Sequence, residues 1–92
     1  WFPMETPGPA LDRALEVIAA AAEAAGRDPN RIGMEGRITA DPTDPDAVAV
    51  QADRWRGAGA THVSINTMGA GLPTVEAHIA ALEAAARACG VA

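Results

Sequence analysis

The chain has no lysine and no tyrosine, one cysteine, three aromatic residues and no long apolar run. Each shortage removes a class of function. Without lysine, positive charge rests on seven arginines, Arg13, Arg27, Arg31, Arg37, Arg54, Arg56 and Arg87, scattered along a chain of net charge −5. Nucleic acid is not an expected partner, because phosphate binding needs a clustered basic face. With Cys89 alone, an internal disulfide is impossible and a cysteine-based zinc site is not expected, so Cys89 reads as a helix residue without chemistry. The longest apolar stretch is far short of the roughly 20 residues a membrane span requires, and the start lacks the basic region of a signal peptide. No membrane association is expected, and a cytoplasmic location is.

What is abundant is alanine, 23 of 92 residues, while the aromatics are only Trp1, Phe2 and Trp55. A core of such small side chains lets helices approach closely but buries little apolar area per residue. The length allows one small module, residues 1–92, with no linker. Trp1-Phe2-Pro3, with no initiator methionine before it, reads as a cut through a longer polypeptide or as the first ordered residues of one.

Periodicity and punctuation give the order helix, strand, helix, strand, helix. Pro9 opens a helix over about 9–25, with Leu11, Leu15, Ile18, Ala22 and Ala25 as its apolar stripe and Gly26 as its left-handed cap. Residues 32–39, IGMEGRIT, alternate as a strand, with Ile32, Met34, Gly36 and Ile38 on one face and Gly33, Glu35 and Arg37 on the other. Asp44 is an N-cap and Pro45 the first residue of a second helix that runs to about Arg56, its buried stripe formed by Val48, Ala52 and Trp55. Residues 61–67, THVSINT, form a second strand, and a glycine-rich loop, Met68 to Pro73, leads to Thr74 as cap of a last helix. Its inner stripe is expected to be Val75, Ile79, Leu82 and Ala86.

Two strands joined through a helix should be parallel. An isolated parallel pair leaves both edges open and gives three helices too little surface, so the module wants further strands. In a (β/α)8 barrel the outward strand face is apolar and the inward face carries polar groups, the division seen in both strands. Glu35, Arg37, His62, Ser64 and Asn66 would then point inward, and Glu35 and Arg37 should find charged or polar partners. His62, at the start of its strand, suits packing or hydrogen bonding better than catalysis, and His78 reads as a surface or interface residue. Asn66, Thr67, Met68 and Gly69 stand where a strand gives way to a loop, the end at which barrel enzymes place their chemistry. The glycine loop, at the start of the last helix, also suits a phosphate, although such a loop is more often only a connection.

Ala25-Gly26-Arg27-Asp28-Pro29, Ile32-Gly33-Met34-Glu35-Gly36-Arg37 and the run from Trp55 to Met68 resemble the C-terminal portion of luciferase-like monooxygenase family proteins, most of all the branch that uses the deazaflavin coenzyme F420. Trp1-Phe2-Pro3 and His78-Ile79 add to the likeness, which covers nearly the whole chain. The resemblance implies a parallel αβαβα unit equivalent to the last two βα units of a TIM (β/α)8 barrel. It further implies hydride transfer between coenzyme F420, or alternatively FMN, and a small organic substrate. Asn66, Thr67, Met68 and Gly69 would be cofactor-binding by position, and no catalytic residue is assigned. The family's phosphate-binding segment and first strands have no counterpart in this chain, so catalysis would need the missing N-terminal barrel portion. Two other kinds of protein fit the same pattern: a self-associating scaffold module in which copies complete a barrel, and a small ligand-binding regulatory domain. The first needs symmetric association and the second a preformed pocket.

Overall fold

In the computed structural model, which describes residues 1–91, helices and strands alternate: α1 (Pro9–Ala24), β1 (Glu35–Thr39), α2 (Pro45–Gly57), β2 (His62–Asn66) and α3 (Val75–Ala88). A single 3-10 turn, Pro29–Arg31, separates α1 from β1. The chain is a small parallel α/β unit with one open, two-stranded sheet. Strands β1 and β2 pair in parallel, with Glu35 opposite His62 and Thr39 opposite Asn66.

Local chemistry sets the boundaries. Asp44 accepts from the Ala47 amide at the start of α2, and Thr74 accepts from the Ala77 amide at the start of α3. α1 has no such cap; it opens on Pro9, whose missing N–H leaves nothing to satisfy there. Its other end closes in a Schellman motif: Gly26 takes φ 70°, its amide donates to Glu23, and the Arg27 amide donates to Ala22. The strands are shorter than their alternation suggests. Asp28 caps the turn at Pro29, so residues 32–34 approach the sheet without completing a ladder. Thr61 seals that entrance, its hydroxyl accepting from the Met34 amide at 3.0 Å.

The core lies between one sheet face and the helices. Leu11, Met34, Ile38, Val48, Ala52, Trp55 and Ala85 form it, and Leu15, Ile65 and Cys89 pack around it. Val48, Ala52 and Trp55 are thus the buried stripe of α2, as their spacing requires. α1 contributes Leu11 and Ala22 as fully buried residues, with Leu15 and Ile18 half-buried. The expectation for α3 is overturned. Val75, Ile79 and Leu82 are exposed, and the residue of α3 that enters the core is Ala85. The face of α3 that turns inward carries small residues: Ala85 packs in the core, and Ala77, Ala81 and Ala84 line a groove beside the β1–α2 loop and the start of α2.

The unit is extended for its mass. Its Cα radius of gyration is 15.3 Å, against about 12 Å for a compact domain of this length.

Candidate functional site

Opposed residues of a parallel pair project to the same side, so the register fixes two faces. Gly36, Ile38, Val63 and Ile65 lie toward the helices. The other face is a ladder of three polar rungs, Glu35 beside His62, Arg37 beside Ser64 and Thr39 beside Asn66. No helix covers it. Glu35 is half-buried and Arg37 is exposed. Neither forms an ion pair, as for a solvated sheet face: the salt bridges among the described residues are Arg56–Asp53 and Arg87–Glu83, both within helices. With solvent still against this face, neither charge is forced to find a protein partner. His62 is exposed at the beginning of β2, 2.9 Å from the Thr61 hydroxyl through Nδ1, in keeping with a hydrogen-bonding role.

The C-terminal end of the sheet gathers the four residues singled out by position. The last ladder bond runs from the Ala40 amide to the Asn66 carbonyl at 2.8 Å. Past it, Asn66 Oδ1 accepts from the Met68 amide at 3.0 Å, closing a turn that directs the chain away from the sheet. Gly69, at φ 77°, continues it through a left-handed conformation that a side chain would strain. Asn66 and Thr67 are half-buried, while Met68 and Gly69 are exposed.

A fifth residue belongs here. His78 Nδ1 lies 2.8 Å from the Thr67 hydroxyl, tying the fourth residue of α3 to the end of β2. His78 is half-buried and not a simple surface residue. The signal for it was present in the sequence: His78 stands three residues before Ala81 and seven before Ala85, on the inward stripe of α3. It was obscured because the larger Val75, Ile79 and Leu82 looked like the buried side.

The loop after β1 reaches the same end of the sheet. There Asp41 accepts from both the hydroxyl and the amide of Thr43, at 2.6 Å and 2.9 Å. The Thr43 hydroxyl, then its amide, hold the Asp41 carboxyl below the usual aspartate range, with the Asp44 amide adding to the effect.

Two grooves are larger features of the surface, and neither is lined by residues 66–69. One of about 260 Å³ runs between the β1–α2 loop and α3, and one of about 300 Å³ lies between Trp1, Leu15, Ile18 and Ala58. Among the described residues no group of three or more His, Cys, Asp or Glu side chains is placed to hold a metal ion. No helix of the described residues is long and apolar enough to cross a membrane. Of residues 66–69, Asn66 and Thr67 bring polar side chains to the strand end, both held by hydrogen bonds within the chain, and Met68 and Gly69 are exposed beyond them.

Comparison with protein families, with curated proteins and with solved structures found no match to this chain.

Proposed function

We propose that this chain is a βα module of a luciferase-like (β/α)8 oxidoreductase, supplying two adjacent strands and one wall of a coenzyme F420 site. The observation that carries the reading is the two-faced sheet: polar rungs on the side that would line a barrel, apolar residues against the helices. Asn66, Thr67, Met68 and Gly69 at the strand end support the placement of the coenzyme mouth, with His78 holding Thr67 in position. The coenzyme, when bound, supplies the hydride chemistry; these residues orient its ring and offer backbone and side-chain hydrogen bonds. FMN is the alternative coenzyme, and the substrate is a small organic molecule. Catalysis needs the further strands, so the module alone has no turnover.

A second reading, a self-associating scaffold module, is favoured by the bare edge of β2 and the exposed apolar residues of α3.

Spectroscopic titration separates the readings. Coenzyme F420 should bind the chain weakly through its fluorescence change, with weaker or equal binding of FMN, and Asn66→Ala should reduce it. Saturable binding that Asn66→Ala leaves unchanged would remove Asn66–Gly69 as the coenzyme wall.

A further inference from the structure

Arg54 has no carboxylate at pairing distance along α2. A cation on a helix meets acidic residues three or four positions away, as Arg56 meets Asp53 and Arg87 meets Glu83. Around Arg54 those positions hold Val50, Gln51, Gly57 and Ala58. Its sequence neighbour Asp53 is engaged by Arg56. Arg37 is in the same condition on β1. Its partner across the ladder is Ser64, and among the described residues it forms no salt bridge with Glu35, two positions away on the same strand face.

The fold brings these two guanidinium groups to one groove. Its volume is about 190 Å³, and Thr6, Pro7, Arg37, Gln51, Arg54 and Trp55 line it. Two of the lining residues are cationic and none is acidic, although the chain as a whole has a net charge of −5. Trp55 is buried and Pro7 half-buried, so one side of the groove is apolar, which strengthens the field of the two charges. The Gln51 amide is turned to the Ala47 carbonyl at 3.4 Å, and the Thr6 hydroxyl is the further donor. The space is smaller than the roughly 300 Å³ at which drug-sized ligands begin to fit.

A second groove, of about 200 Å³, shares Thr6, Arg37 and Trp55 with the first and continues past Phe2, Pro3 and Thr39. Glu5 also lines it. The joint depression therefore has two cations in one half and a carboxylate in the other. A molecule with a single anionic head suits this polarity, and a molecule anionic at both ends is repelled by Glu5.

We propose that the Arg37–Arg54 groove binds the phosphate of a small phosphomonoester, whose uncharged, hydroxylated body lies in the neighbouring groove toward Thr39. One guanidinium fork saturates the two oxygens of a carboxylate, whereas a phosphate offers three terminal oxygens and up to two charges, enough for both arginines and the Thr6 hydroxyl. Residues 66–69 line neither groove, so the site is separate from the coenzyme wall and does not depend on it.

The test is an NMR titration of the isotope-labelled chain near neutral pH at constant ionic strength, read at the arginine Nε–Hε groups. The probes are glycerol phosphate, inorganic phosphate and succinate. Glycerol phosphate should give saturable shifts at Arg37 and Arg54 with a Kd on the order of 1 mM, while Arg31 and Arg87, which line neither groove, stay unmoved. Arg37→Gln and Arg54→Gln should each weaken binding by roughly tenfold, with Arg31→Gln without effect. Shifts of equal size at every arginine, or a response that never saturates, would show general screening and overturn the site. Binding that survives both substitutions would overturn it as well. Succinate bound as tightly as glycerol phosphate would overturn the phosphate assignment, and inorganic phosphate bound more tightly than the ester would overturn the placement of the body. Arg54 is exposed on α2, so Arg54→Gln keeps the fold and decides the matter alone should circular dichroism show Arg37→Gln unfolded.

Discussion

Gly36 and Trp55 fit together because Gly36 has no side chain: a methyl group built on it would overlap the Trp55 indole ring. The indole thus lies against the bare backbone of β1, and α2 sits closer to the sheet than any larger residue would allow. Trp55 is 3% exposed, so little room exists for it to move aside.

Gly36→Ala should therefore destabilise the fold by roughly 1–3 kcal/mol through overpacking. Chemical denaturation measures it. The strain arises from contact and not from backbone conformation, so Gly36→Ala should cost less in a Trp55→Leu background than in the wild type. An unchanged midpoint for Gly36→Ala would show that α2 shifts freely on the sheet.

Much of this arrangement was legible in the sequence. Asp44, Thr74 and Gly26 marked helix ends by their own hydrogen-bonding and conformational chemistry, and the alternation of β1 and β2 sorted their faces correctly. The α3 packing face was not legible. Ranking by side-chain size puts Val75, Ile79 and Leu82 inside, yet the inward face of α3 is its alanine stripe, with Ala85 in the core. The site was legible only as a place. Asn66, Thr67, Met68 and Gly69 follow from the end of a strand, but the His78–Thr67 contact links residues 11 apart and depends on where α3 comes to rest.

That contact makes a prediction about the loop. His78→Ala should free Thr67 and loosen the turn through Met68 and Gly69 without harming α3, since alanine favours helix. Loss of about 1 kcal/mol corresponds to a factor of roughly five in local opening. Amide exchange at Met68 and Ala70 should quicken by about that factor, and His78→Asn should restore part of the protection. Equal exchange rates in all three proteins would show that the hydrogen bond does not hold the loop.

Asp41 gives a pH-dependent prediction. Its carboxyl is held below the ordinary range by Thr43, so the folded state favours the ionised form. The associated stabilisation is in place above the unfolded-state pKa and is lost as pH falls through the lower folded-state value. Thr43→Ala removes the hydroxyl and leaves the amides, so the Asp41 titration should move partway up toward the ordinary range. Carboxyl-carbon NMR across the acid range reads this directly. No movement would show that the amides alone set the ionisation.

The central claim is that the sheet end at Asn66–Gly69 meets the coenzyme. Titrating coenzyme F420 into the isotope-labelled chain and following every backbone amide tests it most directly. The account predicts shifts concentrated at Asn66, Thr67, Met68 and Gly69, with a smaller response at His78. Shifts centred on the groove beside Leu15 and Ile18, or no shifts at saturating coenzyme, would contradict it.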